Sequence, residues 1–306
     1  MKPLALSTMF AQQQRFEDGA AFARYAAEAG YDAIEISHST REDKLRQILD
    51  SHALPVASVH QPAPWARHHD GRGNSHINLA SIDEDERRAA IEYATASIDW
   101  AGRIGAKRIV VHLGQVSDVS EQFEEEREMR RMFDSGSVVS DRFVELREAV
   151  IGRRKADAEA HVEAARRSLL ELVHAAEPHR IAIGLENRYH YHEIPQPEEY
   201  ELLLDGLVGE QAGYWHDVGH AEVLHRLGFI DRHAWLDRLS SRAVGAHLHD
   251  VSGIGDHRAP GDGDVDWGYV TAGLKHLPSY TLEINQHQSD ERVWGAIGFL
   301  EGVRLR

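Results

Sequence analysis

The chain has 306 residues, with 34 Lys and Arg against 50 Asp and Glu, a formal charge of −16 with histidine neutral, and no cysteine. That charge opposes a general role on nucleic acid or on anionic membranes. The lack of cysteine excludes disulfides, thiolate metal sites and thiol nucleophiles.

No apolar run approaches the length of a membrane span, and the first residues turn polar too soon for a secretory signal, so a cytoplasmic protein is expected. Taken in chain order, short runs rich in β-branched residues predict strands at 4–10 (LALSTMF), 33–37 (AIEIS), 56–61 (VASVHQ) and 108–114 (RIVVHLG). Four more follow at 181–187 (IAIGLEN), 213–219 (GYWHDVG), 243–250 (AVGAHLHD) and 280–285 (YTLEIN). Helical patterns lie between them, the clearest at 84–104, where Ile91, Ala94, Ile98, Ala101 and Ile104 recur at three- and four-residue steps. Gly30 and Gly105 each end a helix about three residues before a strand, suiting the left-handed position past a helix end.

Roughly eight strand–helix units predict one closed (β/α)8 TIM barrel spanning 1–306. The open doubly wound alternative lacks its glycine-rich phosphate fingerprint after the first strand. A charged, helix-forming insertion is expected at about 117–156, between the fourth strand and its helix, either as a solvated excursion or dimer contact or as a lid.

Six of the eight predicted strands end in a side chain able to bind a metal: His60, His112, Glu186, Asp217, His247 and Glu283. Parallel barrel strands converge at their C-terminal rim, where TIM-barrel active sites lie. A lone residue of this kind reads as a hydrogen-bonded core group, but six at equivalent places call for a cation to balance buried charge. Carboxylates with imidazole suit Mn²⁺ or Zn²⁺, with Fe²⁺ and Co²⁺ also compatible. A site without thiolate that keeps open positions is the pattern of a catalytic metal.

The motifs "IGLENR", "WHDVGH", "AHLHD", "HRAPGDGDVDW" and "TLEI", in this order, resemble the xylose isomerase-like TIM barrel superfamily. That group includes sugar isomerases and epimerases and the endonuclease IV class of abasic-site nucleases. Resemblance to the epimerases implies one divalent ion held by Glu186, Asp217, His247 and Glu283, with Glu186 and Glu283 as acid and base. The implied reaction is isomerisation or epimerisation of a sugar or sugar phosphate by proton transfer through an enediolate.

Two epimerase features are missing: His190 stands where a further glutamate usually follows the Asn-Arg-aromatic motif, and Gly253 replaces an arginine. Resemblance to the endonuclease IV class adds His60, His112, His220 and His257 as ligands of a multi-zinc phosphoesterase. There too the match is incomplete, because Gly255 replaces an aspartate and "APWARHHDGRGNSH" lengthens the loop after "HQP".

The epimerase reading gives His220 to a substrate hydroxyl, and Arg188, Tyr189, His190 and His192 are expected to line the substrate pocket, with Trp65 capping it. His249 is expected to face away from the ion and Asp250 to orient a ligand. The expected partner is a small sugar; a homo-oligomer stays open, and a non-catalytic metal- or sugar-binding barrel is the third reading.

Overall fold

The computed structural model describes residues 1–117 and 123–306. Eight parallel strands close a barrel: β1 (Leu4–Ser7), β2 (Ala33–Ile36), β3 (Val56–His60), β4 (Arg108–Val111), β5 (Ala182–Glu186), β6 (Ala212–Asp217), β7 (Ala243–Leu248) and, after a small antiparallel hairpin of β8 (Asp250–Ser252) and β9 (Gly255–Arg258), β10 (Tyr280–Leu282). β10 closes the ring on β1, pairing Leu4 with Tyr280 and Leu6 with Leu282. The chain is therefore a (β/α)8 TIM barrel.

The observed strands are shorter than the apolar runs suggest. After Ser7, Phe10–Gln12 form a 3-10 turn, and after Leu282 the backbone leaves the ladder at Glu283. Most of the residues lost from the strands follow the last ladder bonds at the C-terminal rim, His112 and Glu283 among them.

The helices follow the expected local chemistry. Helix α1 (Gly19–Glu28) and helix α2 (Glu42–Ser51) precede α3 (Glu84–Ile104). Asp83 caps α3 by accepting from the backbone N–H groups of Asp85 and Glu86 at 2.9 and 3.4 Å, and Gly105 terminates it at φ 78°. Ala94, Ile98 and Ala101 form its buried face.

The barrel floor depends on two glycines. Trp215 of β6 lies between Gly184 of β5 and Gly245 of β7, and a Cβ at either glycine would collide with its indole. The ring fills the barrel interior beneath His247, with centroids 5.2 Å apart.

Between β4 and β5 lie α4 (Glu124–Asp134) and α5 (Asp141–Ala176). Helix α5 runs 36 residues without a break near 156, so the expected boundary there does not mark a separate element. Part of the expected segment, 118–122, lies outside the described residues. α4 is joined to α5 by Arg142–Glu128 at 2.9 Å and Arg153–Glu125 at 3.1 Å, over the buried side chains Met129, Phe143, Leu146 and Val150.

The chain continues through α6 (Glu199–Leu203), α7 (Val218–Arg226), α8 (His233–Leu239), α9 (Trp267–Leu274) and α10 (Asp290–Gly302). Among the described residues no helix is long and apolar enough to cross a membrane.

Candidate metal centre

The strand ends deliver the chemistry. His60 closes β3, Glu186 closes β5 and Asp217 closes β6; His247 is the penultimate residue of β7, and His112 and Glu283 directly follow β4 and β10. His247 Nδ1 stands 2.6 Å from Glu186 Oε1, 3.3 Å from Glu283 Oε2 and 3.6 Å from Asp217 Oδ2. One donor atom from each of these four residues lies within 4.8 Å of the others, and all four side chains are buried.

Three further groups share these residues. Glu35, His60, His247 and Glu283, all buried, form one; His60, His112 and Glu186 form the second, with His112 Nε2 2.7 Å from Glu186 Oε2 and the two imidazole Nε2 atoms 2.7 Å apart. Asp217, His220 and His257 form the third.

Three carboxylates around one sealed imidazole are costly unless a cation compensates them. Within the protein, the histidines carry that compensation. Burial alone would raise the Glu186 carboxyl, but the hydrogen bond from His112 and the charges of His247 and His60 hold it well below the usual range. Glu283 is likewise lowered, burial being outweighed by His247, His257 and His60. Burial would lower the His60 pKa, yet Glu186 and Glu283 lift it to about 9, while His112 is pushed well below its ordinary value by burial, Arg188 and His60.

Three sealed atoms, His60 Nδ1, Glu283 Oε1 and Asp256 Oδ2, have no hydrogen-bond partner among the described residues. Unsatisfied imidazole nitrogen and carboxylate oxygen are the donors that Mn²⁺ and Zn²⁺ take. The residues present therefore fit a divalent ion.

Second partners orient these groups. Glu35, fully buried on β2, lies 2.9 Å from His247 Nε2 through Oε1 and accepts from Ser58 Oγ at 2.6 Å through Oε2. A carboxylate on Nε2 puts the ring proton there and turns Nδ1 toward Glu186, Asp217 and Glu283, the arrangement metal-binding histidines use. His220 donates from Nδ1 to the Asn187 carbonyl at 2.9 Å, which leaves Nε2 as an acceptor.

Arg188 bonds Glu186 Oε2 at 2.6 Å and Glu193 Oε1 at 3.0 Å, so it serves the carboxylates as well as the cavity it lines. Below the rim opens a cavity of about 530 Å³ lined by His38, Gln61, His76, Asn78, His190 and His257 among others. Burial, reinforced by His60, lowers His38 to about 3, so it faces this space uncharged.

Several expectations change. Trp65 is not among the residues lining the cavity; its backbone N–H is bound to the Thr40 carbonyl at 2.8 Å beside Arg41. His249 does not point away: its Nε2 lies 2.9 Å from Asp217 Oδ1, and its ring stacks on His257 at 4.3 Å. The reason is geometric, since residues two apart on an extended chain share a face. Asp250 orients no ligand and instead gathers the rim loop, accepting from the backbone of Gly261 and Val265 and from Trp267 Nε1 at 2.9–3.1 Å.

Glu35 and Glu126 join the site without having been expected there, and Asp256 stands as the aspartate shifted from Gly255. Glu35 carried a signal, a lone charge inside the apolar run "AIEIS". Asp256, 3.0 Å from His257 Nδ1, is adjacent to the expected aspartate position. Glu126 had no signal, being one of several acids in "EEEREMRR".

Among known proteins, an uncharacterized protein of Methanocaldococcus jannaschii is 22% identical over 259 residues, covering 82% of this chain and 73% of the relative. One from Sinorhizobium fredii is 24% identical over 258 residues, covering 82% of this chain and 65% of its own length. The crystal structure of a D-tagatose 3-epimerase-like protein superposes with a TM-score of 0.68 at 19% identity, covering 99% of this chain and 98% of the other. That of D-psicose 3-epimerase with D-tagatose, from Clostridium cellulolyticum H10, gives 0.66 at 15% identity and 99% coverage of each chain. Residues 23–300 match the family described as xylose isomerase-like TIM barrel. With the barrel closed and that match spanning nearly its whole length, the chain belongs to the xylose isomerase-like TIM barrel family.

Proposed function

We propose that this protein is a divalent-metal-dependent isomerase or epimerase of a sugar or sugar phosphate, moving a proton through an enediolate. The observation that carries this reading is the pair Glu186 and Glu283, two sealed carboxylates held on either side of His247 Nδ1 beside a polar cavity of about 530 Å³. A volume of that order takes a small molecule. Structural neighbours named as sugar epimerases support the same reaction class.

A divalent ion bound by Glu186, Asp217, His247 and Glu283 would supply Lewis acidity, polarising a carbonyl and its neighbouring hydroxyl. The protein's own groups do the rest. Glu283, ionised beside His247, removes the proton from the carbon next to the carbonyl and keeps it, and Glu186, entering that turnover protonated, delivers its own proton from the opposite side and leaves as the carboxylate. Arg188 fixes Glu186 at Oε2, and His257 Nε2 approaches Glu283 Oε2 at 3.4 Å, so the two carboxylates have separate neighbours setting their proton affinities. His220 Nε2, left bare by its bond to Asn187, accepts from a substrate hydroxyl.

A second reading has its own observation. The four overlapping groups around Glu186, Asp217, His247 and Glu283 could hold more than one zinc ion, as in a phosphoesterase of the endonuclease IV type. The charge of −16 and the long loop after Gln61 weigh against duplex DNA as its substrate.

Manganese-loaded protein incubated in D₂O with ketoses and ketose phosphates tests the choice. Deuterium incorporation beside the carbonyl, lost in Glu283→Gln, is the expected result. Hydrolysis of bis(p-nitrophenyl) phosphate by the zinc-loaded protein, with no exchange into any sugar, would replace the first reading by the second.

A further inference from the structure

The end of the barrel opposite the metal centre carries the reverse charge. Residues two apart on an extended chain share a face, so Arg108, Val110 and His112 form one inward row along β4 and its exit. His112 meets Glu186 at the C-terminal rim, while Arg108 stands at the N-terminal mouth, about 13 Å away by strand rise. With Ser58, Trp215, Gly245 and Thr281, Arg108 lines a small hollow inside the barrel. Its Nη1 donates to Ser279 Oγ at 3.4 Å, beside β10, which lies diametrically across the ring from β4. The guanidinium therefore spans the mouth.

A wider cavity of about 370 Å³ opens outward from there, lined by Lys107, Arg108, Arg180 and His276, with Glu210 as the carboxylate on its wall. The β4–β5 ladder brings the cations together: the Ala182 N–H donates to the Lys107 carbonyl at 3.1 Å, Ala182 pairs with Arg108, and Arg180 stands two residues earlier. Among the described residues Lys107, Arg108 and Arg180 form no ion pair. In a chain with 50 acids against 34 Lys and Arg, that leaves a local positive field at this mouth.

Arg108 is the cation that most needs an anion. Burial lowers its pKa with no carboxylate to offset the effect, and the bond to Ser279 uses one of five N–H donors. Lys107, Arg180 and His276 also follow the carboxyl ends of α3, α5 and α9, where basic residues offset the helix dipole. That accounts for charge around the mouth, but not for a guanidinium that runs into the barrel. Three cations call for more than one negative charge, and a phosphate group presents acceptor oxygens to all of them.

We propose that the N-terminal mouth of the barrel is an anion site, in which Arg108, Lys107 and Arg180 bind a phosphate group, free or on a small ester, remote from the metal centre. The assignment does not depend on which reaction the metal centre performs.

The test is calorimetric titration of the full-length protein with inorganic phosphate and with glycerol 1-phosphate at constant ionic strength. Wild type should bind one equivalent at this site with Kd of about 1 mM or below. The Lys107→Gln, Arg180→Gln double variant, changed at two exposed positions, should weaken that binding about 10-fold or more, and Arg108→Gln should abolish it. In phosphate-free buffer Arg108→Gln should melt no lower than wild type, and it should lose the stabilisation that phosphate gives wild type.

Tighter binding of inorganic phosphate would assign the free ion and tighter binding of glycerol 1-phosphate an ester, and either supports the site. Binding that the double variant retains in full would put the phosphate at the metal centre and overturn the assignment, whether or not Arg108→Gln folds. No binding by wild type, or a response that sodium chloride reproduces at equal ionic strength, would overturn it as well.

Discussion

Replacing Glu35 by Gln should weaken metal binding while leaving the fold intact. The wild-type carboxylate is sealed, 2.9 Å from His247 Nε2 and 2.6 Å from Ser58 Oγ. Glutamine retains an acceptor for the His247 N–H, and the Ser58 hydroxyl can rotate to accept from the new amide, so neither partner is orphaned. What disappears is the negative charge that makes His247 Nδ1 a better donor to an ion. Carboxylates behind metal-binding histidines are typically worth about 10- to 100-fold in affinity, or roughly 1.4–2.7 kcal/mol. Competition of manganese or zinc against a fluorescent chelator measures the loss at fixed pH, and thermal melting of the metal-free protein should differ little. Glu35→Ala should add a stability cost of about 3 kcal/mol, because it strands Ser58 Oγ and His247 Nε2 in the core. An unchanged metal affinity in a folded Glu35→Gln variant would mean that His247 Nδ1 does not face the ion.

Other substitutions probe different parts of the site. Glu283→Gln should lower kcat for proton exchange by about 10²- to 10⁴-fold while a folded protein remains, as read by deuterium incorporation and circular dichroism. At Gly219 on α7, any Cβ collides with the His249 ring, which bonds Asp217. Gly219→Ala should therefore cost roughly 1–3 kcal/mol in urea unfolding and weaken metal binding as well.

Glu193 supplies a pH signature. Burial would raise its carboxyl, but Arg188, His190 and His192 lower it from 4.5 to about 2. A depressed folded-state pKa stabilises the protein above the unfolded value and loses that effect as pH falls through the folded one. In metal-free protein, the stability gap between wild type and Glu193→Gln should be widest above about pH 4.5, at most roughly 3 kcal/mol, and narrow toward pH 2. A gap that widens on acidification would contradict the assignment.

The barrel was legible because the apolar runs recur between helical patterns and six of the eight end in an imidazole or carboxylate. In a parallel barrel that asymmetry leads to one rim, which is why His60, His112, Glu186, Asp217, His247 and Glu283 meet there. Strand lengths were less legible, since Glu283 and His249 continue apolar runs yet lie beyond the last ladder bonds. His249 was misplaced through a lapse in strand alternation that its spacing of two from His247 could have corrected. The place of Glu126 depends on how α4 docks against 189–193, a contact between segments more than 60 residues apart that no local pattern encodes.

Metal content per chain, measured by elemental analysis of protein purified without chelator or affinity nickel, tests the central claim most directly when wild type is compared with an Asp217→Ala, His247→Ala double variant. About one equivalent of manganese, zinc or iron in wild type, lost in the variant, is the expected result. Wild-type protein from metal-replete cells that holds no divalent ion, and takes up none on dialysis, would contradict it.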